Sequence, residues 1–238
     1  MNKYLNGSAL LIVWAFLANF ANAQVGQQIK TDLQKKLGSN AKVKSVSPAP
    51  VSGLYEVLVG NDIFYTDSTG KYLIQGEIIE LSTGKNITEQ RQADLNRIKW
   101  ADLNTANAFK TVRGNGSRQI AVFADPNCGY CKRLEKSLLQ LDNVTIYTYL
   151  IPILSADSTH KAKQIWCSSD ASKTYIDWMV NGVPPAGKMD CNTPLDKNLN
   201  IAKSYGITGT PTIFFTDGSR FPGAVQIADI EKKLNTLK

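Results

Sequence analysis

The segment Phe123-Ala124-Asp125-Pro126-Asn127-Cys128-Gly129-Tyr130-Cys131-Lys132-Arg133-Leu134 joins an apolar run to a helical pattern, and the reading of this chain turns on it. Upstream, Ile120 to Phe123 is continuously apolar, as in a strand buried on both faces. Downstream, Cys131, Leu134, Leu138 and Leu141 recur at spacings of three, four and three, which is one face of a helix. A second apolar run, Val144 to Ile153, follows. Strand, helix and strand at this spacing predict a βαβ unit with parallel strands.

Cysteines three apart at the start of a helix lie one turn apart, close enough to bridge and equally able to stay open. Cys128 falls at the helix N-terminus, where unpaired N–H groups and the dipole favour an anion and lower the pKa of a thiol. Cys131 begins the inward stripe, and a thiol in apolar surroundings keeps its proton. An acidic, attacking sulfur beside a protonated, resolving one suits thiol–disulfide exchange. Two other readings stand beside it. A structural zinc site usually draws on two close pairs, whereas Cys167 and Cys191 have 23 residues between them and His160 is the one histidine. A purely structural bridge between adjacent turns closes too small a loop to stabilise much.

The N-terminus speaks to compartment. Lys3, the apolar run Ala9 to Leu17 and then Ala21-Asn22-Ala23 form a secretory signal peptide over residues 1–23, with cleavage expected after Ala23. The apolar core is too short for a membrane span, which needs about 20 residues. Residues 1–23 hold one Lys and no acid, so 27 basic against 20 acidic side chains become 26 against 20 in the mature chain. No Lys/Arg run interleaved with aromatics accompanies this surplus, which reads as a solvated surface and not as nucleic-acid binding. All four cysteines lie in the C-terminal half, so the N-terminal half holds itself together without crosslinks.

In residues 24–84, Ile29, Leu33 and Leu37 mark a short amphipathic helix with Gly38 as its cap. Strand-like pieces follow at Gly53–Gly60, Ile63–Thr66, Tyr72–Gln75 and Glu77–Leu81, a small α+β domain whose exposed edge could pair with a second copy or dock on its own partner domain. Asn86 and Glu89 fit a capping box, and the narrow stripe Leu95, Ile98, Trp100 and Leu103 predicts a linker helix within residues 85–105. Residues 106–238 carry the βαβ unit, a helical region from Thr159 to Gly182, a third helix after Thr193-Pro194, a strand at Thr212–Thr216 and a closing helix at Ile227–Leu237. Trp166 and Trp178 read as packing residues and His160 as an exposed helix residue.

The segment around CGYC, the buried strand before it and Gly209-Thr210-Pro211 far downstream resemble the thioredoxin superfamily. With the secretory signal, the N-terminal α+β domain, the linker helix and the second cysteine pair, the chain resembles the DsbC/DsbG family of periplasmic thiol:disulfide isomerases. The resemblance implies an α/β thioredoxin fold with a helical insertion, preceded by a small cystatin-like α+β dimerisation domain and a linker helix. It implies Cys128 as attacking and Cys131 as resolving cysteine, with Gly129 and Tyr130 tuning redox poise. Thr210-Pro211 matches the family's cis-proline loop, which offers backbone groups to an extended substrate. Cys167 and Cys191 match a structural disulfide, which would close a loop worth roughly 3 to 4 kcal/mol in the chain-entropy model. The acid that thioredoxin carries six positions before its attacking cysteine is Val122 here, which leaves Asp125 as a candidate proton acceptor for Cys131.

The function so implied is isomerisation of incorrect disulfides in misfolded exported proteins by a periplasmic homodimer. A membrane thiol reductase of the DsbD type would keep it reduced, and no cofactor, metal or nucleic acid would take part. The alternatives are a DsbG-like reductase or protector of single cysteines, an oxidase, and a chaperone without redox chemistry.

Overall fold

The computed structural model describes residues 23–39 and 41–237. The signal-peptide reading of residues 1–23 falls outside them, save for Ala23. No helix among the described residues is long and apolar enough to cross a membrane. The chain divides after Leu95 into two compact units.

In the first unit, a helix over residues 23–37 (α1) precedes strands β1 (Val43–Pro48), β2 (Leu54–Val59), β3 (Asp62–Asp67) and β4 (Leu73–Ile74). They form one antiparallel sheet in that order. Ile29 and Leu33 of α1 pack on Val43, Tyr55 and Val57, while Leu58, Ile63 and Tyr65 bury a second cluster with Ile78 and Leu95. Gly38 ends α1 at φ +65°, a left-handed position that favours glycine. A two-stranded ribbon, β5 (Ile79–Glu80) with β6 (Lys85–Asn86), leads into helix α2 (Ile87–Leu95). The Asn86 side chain accepts the Glu89 N–H at 3.0 Å, one half of a capping box.

The linker helix expected to reach Leu103 closes at Leu95. The stripe beyond it belongs to the second unit: Ile98 and Leu103 are buried in that unit's core, and the Ile98 N–H donates to the Gly218 carbonyl at 3.0 Å. Short 3-10 turns at Trp100–Asp102 and Thr105–Asn107 replace the helix, because anchoring both apolar residues on a sheet requires a chain that bends.

The second unit is built on a five-stranded sheet. In chain order its strands are β7 (Phe109–Arg113), β8 (Arg118–Ala124), β9 (Val144–Leu150), β10 (Thr212–Phe215) and β11 (Arg220–Pro222), and in space β11-β10-β8-β9-β7. β8 and β9 are parallel and are joined by helix α3 (Gly129–Leu138), while the other pairs are antiparallel. The apolar run of β8 is explained by burial on both faces. Ile120, Val122 and Ala124 enter one core with Leu134 and Leu138 of α3, and Ala121 and Phe123 enter the other with Phe214 and Ala202.

The helical region resolves into α4 (Ala156–Trp166) and α5 (Ala171–Asn181), each capped by a side chain, Ser155 and Asp170 respectively. Helix α6 (Leu195–Ser204) follows Pro194, and α7 (Ile227–Thr236) closes the unit through Ile230 and Leu234. Thr210-Pro211, just before β10, is a cis peptide.

Candidate active site

β8 ends at Ala124, and the next three residues form a tight turn, buried at Asp125 and Pro126 and half-buried at Asn127. The fully buried Asp125 carboxylate organises it. One oxygen accepts the Asn127 N–H at 2.7 Å, and the other accepts the N–H groups of Ile153 and Leu154 at 2.8 and 3.0 Å. The turn is thereby tied to the segment after β9, and Asp125 is committed to backbone donors instead of to Cys131. These three bonds weigh against the expectation that it accepts the resolving cysteine's proton, since taking that proton would cost one of them. From α5, the Trp178 indole N–H donates to the Pro126 carbonyl at 2.6 Å, and Lys132 lies 3.6 Å over the indole ring. Trp178 is therefore a brace for the turn.

Cys128 is the N-cap of α3, and its sulfur accepts the Cys131 N–H at 3.3 Å. In its protonated form the same sulfur donates to the Thr210 carbonyl at 3.2 Å, which places the cis Thr210-Pro211 loop against the cysteine pair. These contacts make the two sulfurs unlike. A hydrogen bond from the Cys131 thiol outweighs burial, and with help from the Thr210 side chain and the backbone N–H groups of Cys131 and Tyr130 lowers Cys128 from an ordinary 9.0 to about 6. Cys131 is pushed strongly upward, first by burial and then by the neighbouring Cys128. At neutral pH the outer sulfur is a thiolate and the inner one a thiol.

Both cysteines are free and buried, Cys128 at 5% exposure and Cys131 at 2%. Gly129 and Tyr130 between them are exposed, and a Cβ added at Gly129 would meet nothing within 4 Å. The approach to Cys128 is thus bordered by open space on the dipeptide side. Cys167 and Cys191 are bonded to each other, linking the end of α4 to the segment before α6. His160 is exposed on α4, and Trp166 donates to the Asn192 carbonyl at 3.3 Å beside the bridge. Among the described residues no three His, Cys, Asp or Glu side chains are grouped to hold a metal ion.

A charged residue escaped the sequence reading. Glu135 is buried at 3% exposure on the same face of α3 as Cys131 and Leu138. Burial raises its carboxyl to about 7, against a lowering pull from Arg113. The signal was present in its spacing: four residues after Cys131 places it one turn along the inward stripe.

Two family models match the chain: a thioredoxin-like domain over residues 105–238 and the disulfide bond isomerase protein N-terminal domain over residues 18–89. The probable thiol:disulfide interchange protein DsbC of Bordetella pertussis is 43% identical over 182 residues, covering 76% of this chain and 65% of that protein. Its counterpart in Bordetella avium is 39% identical over 193 residues, 81% of this chain and 69% of that one. Escherichia coli DsbC is 27% identical over 226 residues, 91% and 90% of the two chains. The chain spans about 65% of the length of the first Bordetella relative. Among solved structures, the disulfide interchange protein from Neisseria gonorrhoeae superposes with a TM-score of 0.54 at 35% identity, covering 56% of this chain and 97% of that one. An unlike pair of cysteines on a thioredoxin fold, behind an isomerase-type N-terminal domain, agrees with every one of these likenesses: the chain belongs to the DsbC family of thiol:disulfide interchange proteins.

Proposed function

We propose that the protein isomerises incorrect disulfides in exported proteins, with Cys128 attacking and Cys131 resolving. The observation that carries this reading is the asymmetry of the two sulfurs, one acidified to about 6 and the other held as a thiol. The Cys128 thiolate opens a substrate disulfide and forms a mixed disulfide. The freed substrate thiol then attacks a different bond, or Cys131 closes the ring and releases the substrate reduced. The backbone at Thr210-Pro211 is suited to pairing with an extended substrate segment beside the sulfur. Gly129 and Tyr130 set the poise of the pair, and the Cys167–Cys191 bridge is structural. A stabilised thiolate favours the reduced form, and only a reduced enzyme can open a wrong bond.

The first unit supports a homodimer. β4 is an edge strand whose Leu73 and Ile74 are 46% and 44% exposed, next to Tyr72 at 61%. An apolar edge of this kind is suited to pairing with a second copy, and two active sites acting on one chain raise the effective concentration of each. The signal peptide supports export to the periplasm, where a DsbD-type membrane reductase would restore the cysteines.

Thiol trapping in the exporting cell, followed by mass mapping, tests the reading. Cys128 and Cys131 free, together with reactivation of scrambled ribonuclease by the purified reduced protein, is the expected result. An oxidised active pair that oxidises dithiols without added reductant would favour an oxidase. Suppressed aggregation without reactivation would favour a chaperone, and reduction confined to single oxidised cysteines would favour a DsbG-like protector.

A further inference from the structure

Release of substrate by Cys131 requires that its thiol lose a proton in a buried place, and the obvious acceptors are missing. The position six before Cys128 is Val122, and the Asp125 carboxylate already accepts three backbone N–H groups. Tyr175 of α5 is fully buried, and its phenol is pushed well above its ordinary range, so at neutral pH it is a donor.

Glu135 is the remaining acid. It shares the buried face of α3 with Cys131, four residues on, a spacing that sets Cβ atoms about 5–6 Å apart, so that transfer directly or through one water is in reach. No hydrogen bond among the described residues engages its carboxylate, in contrast to Asp125. Arg113 from β7 acts electrostatically on Glu135, and Tyr175 from α5 feels Glu135, Cys131, Cys128 and Asp125 together. Arg113 keeps Nε and one terminal nitrogen buried without a hydrogen-bond partner, a cation able to steady an ionised Glu135.

We propose that Glu135 accepts the proton of Cys131 during the resolving step. As Cys131 Sγ bonds to Cys128 Sγ, the Cys131 proton passes to the Glu135 carboxylate. The bond between Cys128 and the substrate sulfur breaks, its electron pair leaves as the substrate thiolate, and that thiolate is protonated by solvent. Glu135 then returns its proton to solvent. The substrate disulfide is reduced by two electrons, and the cysteine pair is oxidised by two. Because the acceptor must be ionised, the step should fade as pH falls below about 7, the value to which burial raises this carboxyl.

This proposal rests on the exchange reading, and dithiobis-nitrobenzoate separates the two. Reduced protein releases one coloured thiolate when Cys128 attacks and a second when Cys131 resolves. In Glu135→Gln the first release is expected to keep its rate. The second is expected to slow at least about tenfold at pH 7.5 and to lose its inflection, with Glu135→Asp restoring part of both. A second release within twofold of the parent across pH 6–8 would overturn the assignment while leaving exchange intact, whereas loss of the first release in the parent would overturn exchange itself. A readout in the unsubstituted protein needs no variant. With 13C-labelled glutamate carboxyls, one resonance should titrate near 7 in the reduced form, and titration of all of them in the ordinary carboxylate range counts against the proposal.

Discussion

Cys128→Ser is expected to lower the rate of reactivation of a scrambled disulfide protein by at least about 10³-fold, to the uncatalysed background. The hydroxyl keeps the shape of the N-cap but supplies no nucleophile at neutral pH, so neither isomerisation nor reduction can begin. Cys131→Ala should behave differently. It removes the largest contribution to the acidity of Cys128, the hydrogen bond from the Cys131 thiol, and slows attack without abolishing it. Mixed disulfides with substrate should then accumulate, because the resolving thiol is gone. Initial rates for both variants, with non-reducing electrophoresis to count mixed disulfides, check the pair. Substantial reactivation by Cys128→Ser would remove that sulfur from the mechanism.

The second large effect is on stability. Replacing Cys167 and Cys191 together by Ser should destabilise the second unit by roughly 3 to 4 kcal/mol, the loop-closure entropy lost from the unfolded chain when a bridge spanning a sequence separation of 24 is removed. All of α5 lies inside that loop, including Trp178, which holds the Pro126 carbonyl, and Tyr175, which packs 5.0 Å from the Phe109 ring. Urea unfolding followed by tryptophan fluorescence measures the change. A shift below about 1 kcal/mol would mean that packing of α4 and α5 already supplies the constraint.

The fold of the second unit was legible because its strongest signals are local. A strand buried on both faces must be continuously apolar, and the stripe Cys131, Leu134, Leu138, Leu141 has one helical reading; parallel pairing of β8 with β9 followed from the helical crossover between them. Edge strands were harder. β1, Val-Lys-Ser-Val-Ser-Pro, is half polar and paired on one side, and β7 at the far edge of its sheet is similar, so neither carries a run or a clean alternation. The stripe from Leu95 to Leu103 looked helical because spacing alone cannot reveal that Leu95 is packed in the first unit while Ile98 and Leu103 are buried in the second.

At the site, the cysteine pair was visible from spacing, and its acidity from its place at a helix start. The nearness of Thr210, 82 residues away in the chain, was not, and came only from the resemblance. Asp125 was named for its closeness in sequence, but its carboxylate turns to the backbone of residues 153–154. Glu135 was overlooked because a glutamate on a leucine stripe is ordinarily assigned to solvent, and the Arg113 and Tyr175 with which it interacts arrive from other elements.

Acidity of the Cys128 sulfur underlies the whole account, and the pH dependence of its alkylation measures it directly. Reduced protein is treated with iodoacetamide at intervals from pH 4 to pH 10, and carboxamidomethylation of Cys128 is followed by mass mapping. A rate that climbs with a midpoint near 6 while Cys131 stays unmodified is the predicted result. A midpoint near the ordinary 9.0, or a folded protein whose Cys128 never reacts, would contradict it.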